Sequence, residues 1–227
     1  MSESVKIDVW SDIACPWCYI GKQRFASATE AFTAKHPDVA LEIETHSFEL
    51  APDTPLDFQG SEIDFLVRHK GMPAPQVEQM LGQMTELGRA DGIEFDFARV
   101  KHANTQRAHR ILHLAKERGL QQETLDRLFR AYFSEGADMS DPETLAALGA
   151  EAGLDPDEVL AALDSEEYGQ AVQRDIMRAR SLGINGVPFF LLDQKYGVSG
   201  AQPVEAFEGV LEQVLGFARG TVEAPAN

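Results

Sequence analysis

The stretch VKIDVWSDIACPWC, from Val5 to Cys18, decides how this chain reads. Val5, Ile7 and Val9 alternate with Lys6, Asp8 and Trp10, the period of a strand with one face toward a core. A short turn, Ser11 to Ala14, leads into Cys15-Pro16-Trp17-Cys18. From Tyr19 to about Lys35, Phe25, Ala28 and Phe32 fall on one helical face, and His36-Pro37-Asp38 stops the run. Val39, Leu41, Ile43 and Thr45 then alternate as a second strand. The chain opens as a βαβ unit with its two cysteines at the start of the helix.

These are the only two cysteines in 227 residues. The spacing fits a redox dithiol. Backbone N–H groups without partners and the positive end of the helix dipole favour a thiolate at a helix start. Cys15 is expected to be the exposed thiol at or near the N-cap, with Cys18 one turn in and beneath it. Pro16 suits the first helical position, where its missing N–H costs little. Trp17 offers an apolar surface beside the attacking sulfur. A structural zinc site needs four ligands, which His109 and His113 could complete only if the fold brought them to the cysteines. An iron–sulfur cluster would need ligands shared across a dimer or with small thiols. A c-type haem needs histidine after the second cysteine, where Tyr19 stands. Two unreactive buried cysteines are the plain alternative.

Thirty-seven acidic against 20 basic side chains give a net charge of −17. This argues against nucleic-acid binding and against docking on anionic lipid. No stretch approaches the roughly 20 apolar residues of a membrane span. No basic segment followed by an apolar one opens the chain, so it reads as cytoplasmic.

After a loop at 53–60, helical periodicity and capping run from Ser61 to about Asp164. Ser61 with Asp64 reads as a cap, as do Asp141-Pro142 and Asp155-Pro156. A helix is expected over 166–182 and a strand over 187–192. A short strand follows around Val198, then a helix over 203–217. The simplest assembly is one α/β domain split into 1–54 and 165–220. An all-helical insertion over 55–164 interrupts it, and 221–227 is a flexible tail. A separate helical domain would leave the late strands without a sheet. Proline at the head of an apolar strand removes a ladder donor, so Gly186-Val187-Pro188 reads as a strand edge, or as a cis-proline turning a backbone edge toward a ligand.

Together SDIACPWCYIGK (11–22), NTQRAHRILHLA (104–115), GINGVPFF (183–190) and VSGAQP (198–203) resemble the DsbA-like thioredoxin-fold family, and within it the FrnE branch. The resemblance spans essentially the whole chain. It implies a thioredoxin fold with a large helical insertion. It also implies a nucleophilic Cys15, a resolving Cys18, a cis Pro188, and a Val187 whose backbone meets a substrate strand. It places 104–115 over the active-site groove, which makes Asn104 and His109 further candidates for substrate contact. Asn104 also reads as an N-cap, and His109 and His113 as boundary residues of an apolar stripe. Asp12 reads as a turn residue or as a modulator of Cys15. The implied activity is thiol–disulfide exchange with disulfide- or thiol-containing proteins, or with a small thiol such as glutathione. The Cys15–Cys18 disulfide would be the only redox group, with no separate cofactor and no metal. The periplasmic relatives carry histidine where Trp17 stands, and that histidine helps to hold the thiolate. A potential nearer thioredoxin's roughly −270 mV than DsbA's roughly −120 mV is therefore expected. Two other functions stay open: a glutathione-dependent isomerase or transferase of the kappa and hydroxychromene carboxylate isomerase type, and a redox-regulated chaperone-like binding module.

Overall fold

A computed structural model describes residues 3–56, 58 and 60–221. Asp57 and Gln59 of the expected loop, and 222–227 of the expected tail, lie outside the described residues. In chain order the elements are β1 (Glu3–Ser11), α1 (Pro16–Lys35) and β2 (Val39–Ser47), then the helices α2 (Glu62–Arg68), α3 (Ala74–Ala90), α4 (Gln106–Glu117) and α5 (Gln121–Arg130). A π-helical turn, Ala131–Glu135, extends α5. There follow α6 (Pro142–Glu151), α7 (Pro156–Leu163), α8 (Glu166–Ser181), β3 (Phe189–Leu192), β4 (Tyr196–Ser199) and α9 (Val204–Ala218).

The four described strands form one sheet in the order β2-β1-β3-β4. β1 and β2 run parallel, joined by the crossover helix α1, while β3 is antiparallel to both β1 and β4. The late strands thus complete the sheet begun at the N-terminus. The capping residues act as their sequence suggests. Ser61 and Asp64 form a reciprocal capping box, and the Asp141 and Asp155 carboxylates accept first-turn N–H groups. Helix α1 begins at Pro16 with Cys15 as its N-cap, as the helix-start reading of the two cysteines expects. Two boundaries differ from expectation. Helix α4 begins at Gln106, so Thr105 and not Asn104 is its N-cap. Thr221, expected in the tail, donates from its N–H to the Gly216 carbonyl at 2.9 Å.

Helices α1 and α9 cover one face of the sheet, burying Phe25, Phe32, Phe207 and Leu211 against Ile7 and Phe190. The other face packs Trp10 and Leu191 against Ala179 of α8 and Ile184. Alternation in β1 suggests a wet face bearing Asp8 and Trp10, yet both are fully buried. β1 lies between two other strands, and α8 covers the face that would otherwise be solvated.

Burying Asp8 there requires partners. Its carboxylate accepts from Arg178 at 3.0 Å and pairs with His46 Nε2 at 2.7 Å. The opposite His46 nitrogen meets Asp175 at 2.9 Å, and Asp175 also accepts from the Ser47 N–H at 2.9 Å. His113 of α4 stands 3.3 Å from Asp175 and from the Ser47 hydroxyl. The network bolts β1, β2, α4 and α8 together. Burial alone would push the carboxyls up and the imidazole down. The paired charges outweigh it, so Asp8 and Asp175 lie below the ordinary carboxylate value and His46 above the ordinary imidazole value. At the sheet edge, Gln121 of α5 accepts from the Thr45 N–H and donates to the Thr45 carbonyl, both at 2.9 Å, so one side-chain amide covers part of exposed β2.

Candidate active site

Cys15 is the N-cap of α1, with φ −99° and ψ 109°, and Pro16 opens the helix. The Cys15 carbonyl accepts from the N–H groups of Cys18 and Tyr19, and its own N–H donates to the Asp12 carbonyl at 3.1 Å. Both cysteines are free thiols here. The Cys15 thiol donates to the Val187 carbonyl at 3.7 Å. The Val187–Pro188 peptide is cis. The Pro188 carbonyl accepts from the Gly200 N–H at 2.8 Å, which ties this loop to the end of β4. The two CxxC-proximal candidates far apart in sequence, Val187 and Pro188, therefore meet the cysteines across the sheet.

Gly21 makes that approach close. A Cβ at Gly21 would stand 2.8 Å from Cγ of Pro188. Gly21→Ala is expected to push α1 from the proline loop, lowering stability by about 1–3 kcal/mol on urea denaturation and slowing exchange at Cys15.

Cys15 is not the exposed thiol that its helix-start position suggests. It is 3% exposed, and Cys18 is 1% exposed. The helical block forms a cleft over it. This cleft, about 250 Å³, holds Cys15, Pro16 and Trp17 opposite Phe65, Met80 and Phe97. Trp17 is 42% exposed at its rim. Cys18 lines a different cavity of about 210 Å³ on the far side of α1, with Ser11, Phe25 and Pro188. Burial, and next the adjoining Cys15 thiol, push the Cys18 thiol well up, against opposing hydrogen bonds from Asp12 N–H and the Ser11 hydroxyl. Tyr19 carries α1 into the helical block, stacking on Phe129 with ring centroids 5.0 Å apart.

Asn104 and His109 are not among the residues lining the cleft. Asn104 donates to the Thr54 carbonyl at 2.7 Å and accepts from the Gln106 N–H at 2.9 Å, so it fixes the loop and the helix start together. His109, 1% exposed, lies behind Asp12, its Nε2 3.4 Å from Oδ1. His113 joins the Asp175 network instead, so the pair of histidines does not converge on the cysteines. Asp12 is more than a turn residue. It accepts from the Leu50 N–H at 2.7 Å and from the Thr105 hydroxyl at 2.8 Å. Burial acts to raise its carboxyl, but His109 and these donors hold it below the ordinary value.

A second polar pair in the cleft escapes sequence reasoning. His102 stands between Glu62, at 2.9 Å, and Thr54, at 3.2 Å, and stacks on Phe65 at 3.5 Å. Glu62 lies in the first turn of a helix and His102 in an irregular segment 40 residues on, with no periodicity to join them.

A strand, a helix-start CxxC and a cis-proline loop brought to it by an antiparallel strand constitute the site. The family model for a DSBA-like thioredoxin domain matches residues 6–212. The chain belongs to the DSBA-like thioredoxin-domain family. Among members of known structure, the probable DsbA oxidoreductase from Streptomyces coelicolor is 38% identical with a TM-score of 0.87, covering 98% of this chain and 93% of that one. The Bacillus subtilis (strain 168) protein YwbO is 30% identical over 90% of this chain and 94% of its own length. The fold is shared more distantly with the cytosolic disulfide reductase DsbM from Pseudomonas aeruginosa, solved with GSH (20% identity, TM-score 0.65, 92% and 98% covered). It is shared also with a 2-hydroxychromene-2-carboxylate isomerase (14%, 0.70, 96% and 100%). For this DSBA-like chain the family match and the Streptomyces coelicolor relative support an oxidoreductase role. No described helix is long and apolar enough to cross a membrane.

Proposed function

We propose that the protein is a thiol–disulfide oxidoreductase, in line with the FrnE branch, acting in the cytoplasm on disulfides of proteins or small thiols. Cys15 is the nucleophile and Cys18 the resolving thiol. The observation that carries this reading is the Cys15 sulfur at a helix N-cap, 3.7 Å from the carbonyl before cis-Pro188. In the reductive direction the Cys15 thiolate attacks a substrate disulfide. One substrate sulfur leaves as a thiolate and the other forms a mixed disulfide with Cys15. Cys18, on losing its proton, attacks the Cys15 sulfur, closes the Cys15–Cys18 disulfide and releases the second thiolate. Substrate main chain lies against Val187 and Pro188, and its side chains meet Pro16 and Trp17 in the cleft. The helical insertion, 55–164, supplies the opposite wall.

Insulin reduction coupled to a dithiol, together with equilibration in glutathione buffers, tests the reading. Acceleration of the first and a defined equilibrium in the second are expected; neither effect above background would sink it. Trp17→His is expected to raise the equilibrium constant for reduction by glutathione tenfold or more, because it restores a cation beside the thiolate. An unchanged constant would refute the assigned influence of Trp17.

A second reading has its own support. The cleft over Cys15 is largely apolar, about 250 Å³, and of small-molecule size. That suits a glutathione-dependent isomerase or transferase. Turnover of an organic substrate that needs glutathione and survives Cys18→Ser would favour it.

A further inference from the structure

We propose that His109 is a positioning residue that balances the charge of Asp12 beneath the two thiols, so that this pair sets the equilibrium between dithiol and disulfide. The inference rests on the redox reading above.

Asp12 touches both cysteines through its main chain. Its carbonyl accepts from the Cys15 N–H at 3.1 Å, and its N–H faces the Cys18 sulfur. Its carboxylate, 2% exposed, joins the β1–α1 turn to Leu50 and Thr105. Among the described residues, His109 is the basic side chain within 4.0 Å of it. His109 arrives from α4, 97 positions along the chain, and is itself 1% exposed. Neither ring nitrogen makes a well-aligned hydrogen bond. A buried imidazole without aligned bonds is a poor strut. What it offers 3.4 Å from a buried carboxylate is a basic nitrogen. Glu49, from the loop after β2, also faces the pair; burial and then Asp12 act to keep its carboxyl up, His109 opposing. Asp12 and Glu49 are therefore the carboxylates that His109 meets, and Asp12 is the one joined to the two cysteines.

The consequence is a pair of opposite effects. Reduction of the Cys15–Cys18 disulfide by two glutathione molecules takes up two electrons and two protons, giving the dithiol and one glutathione disulfide. Any thiolate in the reduced form is stabilised by a neighbouring cation and destabilised by a neighbouring anion. Removing the anion with Asp12→Asn should raise the equilibrium constant, and removing its counter-charge with His109→Leu should lower it. Each shift is expected to be about tenfold, the size of one unit charge acting over a short, buried distance.

The experiment equilibrates wild type, Asp12→Asn, His109→Leu and the double variant with defined glutathione ratios and measures the reduced fraction by mass spectrometry after acid quenching. Opposite shifts in the single variants, with the double variant within about threefold of wild type, support the inference. Shifts of the same sign, or shifts below about twofold, overturn it, because loosened packing would move both variants alike. His109→Gln, which keeps a polar group without the charge, replaces His109→Leu if the latter does not fold, and the same shift is expected. A wild-type protein that reaches no equilibrium with glutathione overturns the redox reading itself, an outcome distinct from unshifted variants.

Discussion

Cys15→Ser is expected to lower catalysed disulfide exchange by about a thousandfold or more, whereas Cys18→Ser should still attack substrate once and then stall. The difference follows from position. Cys15 is the N-cap, in the cleft and beside Val187, while Cys18 contributes to a separate cavity behind α1. A serine hydroxyl at 15 has no adjoining base to make it a nucleophile. With Cys15 intact and Cys18 replaced, the first exchange proceeds but nothing releases the mixed disulfide. Stopped assays with a labelled disulfide should show no covalent adduct for Cys15→Ser and close to one adduct per chain for Cys18→Ser. Equal turnover by both variants would exclude the dithiol route. The substitution at 15 removes one buried sulfur in a well-packed site, so the thermal midpoint should move by only a few degrees.

Asp175→Ala is expected to cost about 3–5 kcal/mol of stability, the range for breaking a buried ion pair by removing one partner. Asp175 answers His46, His113 and the Ser47 N–H, and its loss leaves these groups buried with an unmatched charge. The effect should depend on pH in a definite way. Asp8 and Asp175 have native values below the ordinary 3.8, so their contribution is complete above that value and fades as pH falls through the lowered native ones. His46 has a native value above the ordinary 6.5, so its contribution is complete below 6.5 and is lost as pH rises through the raised one. The stability gap between wild type and Asp175→Ala should therefore be widest between about pH 4 and 6.5. Urea denaturation across pH 3–9 measures it, and a gap below about 1 kcal/mol throughout would show that the network is not coupled as the geometry indicates.

What was legible in the sequence was whatever local chemistry writes locally. The strand period at Val5–Val9, the CxxC and the caps at Ser61, Asp141 and Asp155 each need only neighbours within a turn. That 187–199 completes the N-terminal sheet follows because those strands have no other sheet to join, but their place beside β1 is written nowhere locally. Other features depended on distant partners. Asp8 reads as a solvent-facing strand residue until α8, more than 150 positions later, covers it with Arg178. Cys15 reads as exposed until Phe65, Met80 and Phe97 close over it. His109 reads as a groove residue because its helix lies near the groove, yet the imidazole turns to Asp12. Gly21 lies within SDIACPWCYIGK, but only the approach of Pro188 explains why a side chain there is excluded.

The sheet order β2-β1-β3-β4 also has a consequence for synthesis. As the chain leaves the ribosome, β1 and β2 can pair early, but one edge of β1 stays open until residues 189–192 emerge. The intervening helices must gather while that edge is unclaimed, a window in which a stray strand could bind it. Val187 and Pro188 arrive in the same late segment. Cys15 is therefore made well before the loop that meets it, so a nascent chain truncated between the two carries the cysteines without Val187 and Pro188.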